Sequence, residues 1–190
     1  MKPNTGGSSV GVRMVEDPAE LRAAIEAVLA AGDEALVEAR VDGVEETVGV
    51  LGLPATGLVS LPVVEIVPDE GRWFDYEQKY DSAQGATERT PPERVTPELC
   101  GHLGNIARRA FEVTGCEGYA RVDFVVPSGL TIGGEAVAGE LQEPVILELN
   151  TLPGLTARSL LPQAAAAAGA DLRCLALEIC ALALIGRRSG

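Results

Sequence analysis

The strongest constraint on the fold comes from two apolar segments that carry polar side chains at alternate positions. Residues 119–126 hold Arg121 and Asp123 among valines and a phenylalanine, and residues 145–149 include Glu148, with Asn150 directly after them. In a β-strand, side chains at i and i+2 point to the same face. Charges inside apolar strands need a partner, because an unpaired buried charge is costly. Two adjacent strands with one polar face are therefore favoured over ordinary solvated charges on a sheet edge.

This polar face has the chemistry of a magnesium site. Asp123, Glu148 and Asn150 would present three oxygen-bearing side chains from neighbouring strands. Mg²⁺ prefers a few such oxygens, completed by phosphate oxygens and water. The pattern therefore predicts a metal site that acts together with a phosphate compound.

A second informative segment is Lys2–Gly11, which reads Lys-Pro-Asn-Thr-Gly-Gly-Ser-Ser-Val-Gly. Glycines let the backbone approach a phosphate closely, and consecutive N–H groups form an anion-binding nest. Ser8 and Ser9 add hydroxyl donors. In a Walker A loop the lysine follows the glycines, whereas Lys2 precedes them here. The segment is a candidate phosphate loop, and taken alone it is equally well explained as a plain turn.

Composition limits the classes of partner. The 190 residues can bury the core of one domain, or of one and a half,. A net charge of -13 argues against nucleic acid or an anionic membrane as the main partner,. No apolar run approaches the roughly 20 residues that span a bilayer, and no apolar signal segment follows Met1. We expect a cytoplasmic protein.

Histidine and cysteine chemistry is not indicated. The four cysteines lack the spacing of a metal site, and we expect buried, reduced thiols,. His102 is the only histidine and lies in a predicted amphipathic helix, which favours a surface or packing role. A Ser-His-Asp mechanism and a zinc triad are therefore disfavoured.

Periodicity and capping signals predict an α+β fold with mostly antiparallel strands and helices on one side. Asp17-Pro18 and Thr96-Pro97 are helix starts, with an acidic or hydroxyl cap followed by proline,. Asp42-Gly43 predicts a turn between two strands. The predicted helices are 17–31, 96–114, 160–168 and 171–185. The predicted strands are 10–15, 35–41, 45–51, 61–67, 119–126 and 145–149. A mobile loop is predicted at 81–92 and a surface insertion at 128–144.

Taken together, the motifs resemble the ATP-grasp enzymes, and within them the D-alanine–D-alanine ligases. The resemblance runs from Lys2 to about Leu184 and rests on five motifs in the family order. They are Lys-Pro-x-x-x-Gly-Ser-Ser-Val-Gly at 2–11, Val37-Glu38 with Gly43-x-Glu45, Asp75-Tyr76-Glu77-x-Lys79-Tyr80, Gly118-x-x-Arg121-Val122-Asp123, and Glu148-x-Asn150-Thr151-x-Pro153-Gly154 followed by Ser159-Leu160.

The resemblance implies an ATP site whose residues are spread along the chain. Lys2 would bind a phosphate, and the loop around Ser8 and Ser9 would close over the phosphates and the substrate. The other nucleotide-binding residues that it implies are Glu38 at the adenine edge, Arg40 and Val41 beside it through their backbone, Glu45 at the ribose, Trp73 packed on the adenine, Lys79 at the γ-phosphate, and Leu147.

It also implies the catalytic residues. Arg121 and the backbone N–H of Gly154 would stabilise the charge that develops on the reacting carbonyl. Tyr80 and Ser8 would act from mobile loops, and Ser159, with the backbone of Leu160, would receive the carboxylate of the second D-alanine. Two Mg²⁺ ions, with Mn²⁺ as an alternative metal, would be held by Asp123, Glu148 and Asn150.

The implied reaction has two steps. The carboxylate of one D-alanine attacks the γ-phosphate of ATP, and the amine of a second D-alanine then displaces phosphate from the acyl-phosphate. No side-chain nucleophile is required, because positioning and electrostatics carry this chemistry. The dipeptide would serve peptidoglycan precursor synthesis.

The resemblance further predicts how the chain is divided. Residues 1–37 would be a remnant of the central ATP-grasp subdomain, and residues 38–190 the C-terminal subdomain with the Mg-ATP and second-substrate site. The fold would thus be an ATP-grasp fold truncated at its N-terminus. Its missing N-terminal half is an expected partner, and a homodimer is a further expectation. The alternatives are an inactive Mg-ATP-binding fragment and another carboxylate–amine ligase.

Overall fold

A computed structural model of the chain describes residues 1–5, 10–53, 56–68, 87–127 and 143–186. The contacts between residues divide the chain into two compact units, each of which is described by itself. The first comprises Met1–Val41 and Pro68–Thr87, and the second Asp42–Val67 and Glu88–Gly190. The domain boundary between residues 37 and 38 stays a prediction.

The first unit is built on a short antiparallel strand pair and one helix. Strand β1 (Lys2–Pro3) pairs with β2 (Ala35–Leu36), and helix α1 (Pro18–Ala30) lies between them in the sequence. Asp17 caps the helix, since its carboxylate accepts a hydrogen bond of 2.6 Å from the Ala19 N–H,. The helix predicted at 17–31 is confirmed.

The second unit is built around a mainly antiparallel sheet. Its strands are β3 (Gly43–Leu53), β4 (Gly57–Ser60), β5 (Val64–Val67), β6 (Thr87–Arg89), β7 (Tyr119–Pro127) and β8 (Val145–Asn150). Their order is β6-β5-β3-β7-β8, with β4 paired to the far end of β3. Strand β3 is antiparallel to β4, β5 and β7, and β7 is antiparallel to β8. The strands predicted at 119–126 and 145–149 are therefore confirmed as neighbours.

Helix α2 (Pro97–Val113) covers one face of this sheet and forms the main core with it. Thr96 caps the helix through a 3.3 Å bond from the Leu99 N–H, as the sequence predicts. Even-numbered residues of β3 and β7 point to this helix, because side chains alternate along a strand. The core residues are Val48, Val50, Val63, Leu99, Leu103, Ala107, Phe111, Ala120, Val122, Phe124 and Val126.

The opposite face of β3 packs against helix α3 (Leu160–Ala167), which α4 (Leu172–Gly186) follows. The contact is close at Gly49, where an added Cβ would lie 2.5 Å from Leu161 Cδ1. The expectation that the helices lie on one side is therefore wrong. The odd-numbered positions of β3 and β7 belong to this second face, which is the face that carries Arg121 and Asp123.

Three local predictions are also wrong. Residues 35–41 do not form a hairpin with 45–51, because β2 contains only Ala35–Leu36 and pairs with β1. Residues 10–15 are not a strand; Gly11 has φ +77°, and the chain there is held by the Arg13 N–H donating to Met1 O. Cys174 and Cys180 are exposed rather than buried, and Cys100 and Cys116 are half-buried; all four are free thiols.

A buried pair of glutamates interrupts the core. Glu46 on β3 lies directly opposite Glu65 on β5, and both are 0% exposed. Burial raises the pKa of Glu65, but hydrogen bonds from Arg94 and the Glu93 N–H outweigh this and lower it overall. Neither carboxyl oxygen of Glu46 has a hydrogen-bond partner within the described part of the chain. Burial, and then the charge of Glu65, raise the pKa of Glu46 to about 8.

Candidate active site

The polar face predicted from the sequence is present on strands β7 and β8. Arg121 lies opposite Asn150, and Asp123 lies opposite Glu148. Side chains that face each other across an antiparallel pair point the same way, with Cβ atoms roughly 5 Å apart. The structure thus brings together four predicted residues in one row. Arg121, Asp123 and Asn150 are half-buried, and Glu148 is exposed.

An irregularity in β8 sets up this row. The pairing register shifts between Asp123 and Phe124, so that Phe124 lies opposite Ile146 and Leu147 is the extra residue. Such a bulge turns the following side chains relative to those before it. Because of it, Glu148 shares the face of Asp123, while Ile146 shares the core-facing side of Phe124. Leu147, predicted to contact the nucleotide, is exposed at this bulge.

Asp123 is held by charge-assisted hydrogen bonds. Arg121 Nε donates to Asp123 Oδ1 at 2.8 Å, and Arg121 Nη2 donates to Oδ2 at 2.7 Å. Both side chains are 14% exposed. A two-point guanidinium–carboxylate pair fixes the orientation of both groups. In this arrangement Arg121 compensates the charge of Asp123.

Thr47 also contacts Asp123, although the sequence alone does not predict this contact. Its hydroxyl donates to Asp123 Oδ1 at 2.5 Å from the adjacent strand β3, and it is 2% exposed. Thr47 and Asp123 are register partners. The sequence shows only that Thr47 is a polar residue within an apolar strand. Its contact with Asp123 can be inferred only when the register between β3 and β7 is known.

The donor set fits Mg²⁺. Asp123, Glu148 and Asn150 offer carboxylate and amide oxygens on one face, the ligand type that this ion prefers. Among the described residues no group of three or more His, Cys, Asp or Glu side chains gathers into a metal cluster. The row holds two carboxylates and one amide, which suits an ion that takes its other ligands from phosphate and water. Asn150 Oδ1 also accepts a 3.0 Å bond from the Leu152 N–H, which fixes the amide orientation.

The turn after β8 brings Gly154 to Ser159. A Cβ on Gly154 would lie 2.7 Å from Ser159 Oγ, so that only glycine fits without displacement of the hydroxyl. Ser159 is the N-cap of α3, but its side chain caps no helical N–H. It contacts Thr156 instead, with the two hydroxyl oxygens 2.9 Å apart and the Thr156 N–H donating to Ser159 Oγ at 3.2 Å. The first N–H groups of a helix lack intrahelical acceptors and suit a carboxylate.

In the first unit, two residues predicted for the nucleotide site lie together. Lys2 Nζ is 2.8 Å from Glu38 Oε2. The chain just after Lys2 is anchored as well, because Thr5 Oγ1 donates to Asp33 Oδ2 at 2.6 Å. This hydrogen bond, the largest contribution, lowers the pKa of Asp33. The stem of the glycine-rich segment is thus tied to the residues that precede β2.

The other predicted nucleotide residues are placed separately. Arg40 is exposed, with a long ion pair of 3.9 Å to Glu16, and Val41 is half-buried beside it in the sequence. Glu45 lies on β3 in the second unit, opposite Val125 and Ile66, and is half-buried. Their proposed contacts with adenine and ribose stay predictions.

Five predicted residues lie outside the described part of the chain: Ser8, Ser9, Trp73, Lys79 and Tyr80. Residues 128–142 of the predicted insertion and 81–86 of the predicted loop also lie outside it. Residues 87–89, predicted as part of that loop, form strand β6 instead. His102 is half-buried and its Nε2 lies 3.1 Å from Glu143 Oε2, in agreement with a surface role. Over the ranges described, no helix is long and apolar enough to cross a membrane.

Comparison with known proteins identifies the family of the chain. Residues 1–180 match the family described as D-ala D-ala ligase C-terminus. The D-alanine–D-alanine ligase of Flavobacterium johnsoniae is 40% identical over 172 residues, which are 90% of this chain and 48% of that protein. The chain therefore spans about half the length of the curated relatives it matches.

Solved structures show the same relationship. The D-alanine–D-alanine ligase from Bacillus anthracis complexed with ATP matches with a TM-score of 0.74 and 27% identity, over 99% of this chain and 53% of that one. The D-Ala:D-Ser ligase VanG from Enterococcus faecalis matches with a TM-score of 0.71 and 29% identity, over 95% of this chain and 48% of that one. The chain thus has the ATP-grasp fold, and it belongs to the D-alanine–D-alanine ligase C-terminal domain family.

Proposed function

We propose that this chain carries the Mg-ATP site and the second-substrate site of a ligase that joins two D-alanines and converts ATP to ADP and phosphate. The observation that carries the proposal is the register of β7 and β8, which sets Asp123 opposite Glu148 and Arg121 opposite Asn150. Family membership supports the reaction type. The ligation would take place in the cytoplasm and would supply a peptidoglycan precursor.

In this proposal Asp123, Glu148 and Asn150 hold magnesium. When bound, the metal supplies positive charge that neutralises the phosphate oxygens during phosphoryl transfer. Lys2, which pairs with Glu38 in the first unit, would bind an ATP phosphate, as the family resemblance implies. The roles of Ser8, Ser9, Trp73, Lys79 and Tyr80 remain those that the family resemblance implies.

Arg121 and the turn at Gly154 act on the acyl group. The carboxylate of the first D-alanine attacks the γ-phosphorus of ATP, and the bond to the ADP oxygen breaks. The amine of the second D-alanine then attacks the acyl carbon, and phosphate leaves. Arg121 and the Gly154 N–H stabilise the negative charge on the oxygen of the carbon under attack. Ser159 and the first turn of α3 hold the carboxylate of the attacking D-alanine.

The test is ADP release from purified residues 1–190 with Mg-ATP, with and without D-alanine. We expect release that D-alanine stimulates and that Glu148→Gln abolishes. Glu112→Gln is the matched control, because it makes the same change in an exposed glutamate whose carboxylate pairs with Arg109 on α2. Absence of both ATP binding and D-alanine stimulation would overturn the proposal.

Two alternatives give different results in the same assay. Because the chain spans about half the length of its relatives, a Mg-ATP-binding module without turnover is one of them. This alternative predicts that the chain binds ATP but releases no ADP when D-alanine is added. Restoration of turnover by the N-terminal half of a relative would then identify the partner that turnover requires.

The expected homodimer is tested separately, by cross-linking at several protein concentrations.

A ligase with another amine substrate is the second alternative. It is favoured by the match to the D-Ala:D-Ser ligase, whose TM-score is close to that of the D-alanine–D-alanine ligase. Fold similarity therefore does not select the second substrate. Competition between D-alanine and D-serine as the amine, with mass spectrometry of the dipeptides, distinguishes the two activities.

A further inference from the structure

We infer that Thr47 is a positioning residue for the Asp123 carboxylate at the metal site. The inference rests on the proposed function, because it gives Asp123 a metal to bind. Thr47 Oγ1 donates to Asp123 Oδ1 at 2.5 Å, across the β3–β7 ladder. Loss of a residue that holds a metal ligand in orientation typically weakens metal binding by roughly 10- to 100-fold.

The geometry separates the roles of the two carboxylate oxygens. Oδ1 accepts hydrogen bonds from both Thr47 and Arg121 Nε, whereas Oδ2 accepts the bond from Arg121 Nη2. When Arg121 turns to the reacting substrate, Oδ2 loses that donor and becomes available to a metal. Thr47 then remains the donor that keeps Oδ1, and with it the whole carboxylate, in place.

Thr47 is suited to this role because it is rigid. It lies within the central strand β3 and is 2% exposed. A β-branched side chain has few rotamers, so its hydroxyl has a fixed position relative to the backbone. Arg121, by contrast, lies on β7 with Asp123 and holds its carboxylate with a long side chain. Thr47 therefore sets the position of the carboxylate, and Arg121 is able to exchange partners.

The hydroxyl has another acceptor within reach, which defines the competing explanation. Val122 O lies 3.3 Å from Thr47 Oγ1, so a purely structural role would be to satisfy a buried hydroxyl inside the sheet. The bond to Asp123 is shorter by 0.8 Å and has a charged acceptor,. A structural role predicts loss of stability alone, whereas positioning predicts loss of metal affinity.

The experiment compares metal-dependent with metal-independent nucleotide binding. The probes are preformed Mn²⁺·ATP and ATP in EDTA, each titrated into the 190-residue chain by calorimetry at low temperature. Thr47→Ser and Thr47→Ala form a matched pair, since both lose the methyl group and only alanine loses the hydroxyl. Thr47→Val replaces the hydroxyl by a methyl group. Thr114→Val is the control at an exposed hydroxyl whose acceptor is Ala110 O.

We expect Thr47→Ala and Thr47→Val to raise the Kd for Mn²⁺·ATP by roughly 10- to 100-fold, the range typical of lost outer-shell partners. Thr47→Ser should have a Kd between those of wild type and Thr47→Ala, because it keeps the hydroxyl but loses the β-branch that fixes its position. Thr114→Val should keep the wild-type Kd, and no variant should change the Kd for ATP in EDTA. Circular dichroism checks that each variant is folded; should the valine variant not fold, the serine–alanine pair decides.

Two outcomes overturn the inference in distinguishable ways. If wild type prefers Mn²⁺·ATP over metal-free ATP and Thr47→Ala retains that preference, Thr47 does not position the ligand, although the metal site stands. If wild type shows no preference for the metal complex, the proposed Mg-ATP site fails, and the role of Thr47 fails with it.

Discussion

Replacement of Glu46 by glutamine should make the chain more stable at alkaline pH. Glu46 is 0% exposed, and neither of its carboxyl oxygens has a hydrogen-bond partner among the described residues. The groups that face it are Glu65, Arg94 and Cys100; Glu65 raises its pKa and Arg94 lowers it. Burial is the largest cause of the rise from 4.5 to about 8. Glutamine keeps the shape and a polar end but cannot ionise.

The sign and the size follow from proton linkage. Between pH 4.5 and 8 the folded chain keeps a proton on Glu46 that the unfolded chain releases, so the unfolding free energy of the wild type falls as the pH rises,. Above the folded pKa this loss levels off. Between the two pKa values, each pH unit lowers the unfolding free energy of the wild type by about 1.4 kcal/mol. Over the whole interval from 4.5 to 8, the loss is about 5 kcal/mol,.

The assay is urea unfolding of wild type and Glu46→Gln, followed by circular dichroism in buffers from pH 5.5 to 9. The advantage of the variant should grow by about 1.4 kcal/mol for each pH unit up to pH 8 and then remain constant. Glu112→Gln, a change at an exposed position, should follow the wild type at every pH. A difference between wild type and Glu46→Gln that does not vary with pH would refute the reasoning, because Glu46 would then ionise equally in both states.

Three further predictions concern single side chains. Arg94→Ala should destabilise the chain by about 3 kcal/mol in the same unfolding assay, because Glu65 is left as a buried charge with fewer partners,; a change below 0.5 kcal/mol, the range of ordinary surface substitutions, would contradict this. Gly154→Ala should leave the circular dichroism spectrum unchanged and reduce D-alanine-dependent ADP release, since the new methyl group would lie 2.7 Å from Ser159 Oγ; wild-type turnover would contradict the role of that turn. Arg121→Ala should tighten Mn²⁺ binding in electron paramagnetic resonance titrations, since it removes a cation beside the metal site. The same variant should abolish D-alanine-dependent ADP release. Weaker Mn²⁺ binding would show instead that the arginine supports the metal ligands.

The row on β7 and β8 could be predicted because it depends on local alternation. Arg121 and Asp123 lie two residues apart, as do Glu148 and Asn150, so each pair shares a face in any strand register. The bulge at Leu147 was not predictable, because nothing in the local pattern distinguishes a strand with one extra residue from a regular one.

Features that depend on pairing between distant strands were not predicted. Thr47 contacts Asp123 only in the observed register of β3 and β7. Glu46 is buried because it falls on the face covered by α2, whereas Glu45 next to it falls on the other face. Residues 35–41 were predicted to pair with the strand that follows them, although the pairing partner of Leu36 is Lys2 at the start of the chain. Such choices are made by tertiary packing rather than by local propensity.

In the proposed function, the row of Asp123, Glu148 and Asn150 binds ATP together with magnesium. The most direct measurement is the Kd of ATP, by calorimetry, with saturating Mg²⁺ and in EDTA, for wild type, Glu148→Gln and Glu112→Gln. We expect Mg²⁺ to tighten ATP binding in wild type and Glu112→Gln, and Glu148→Gln to lose roughly tenfold or more of this affinity. ATP binding that is the same with and without Mg²⁺, or the same in wild type and Glu148→Gln, would show that this row does not form a Mg-ATP site.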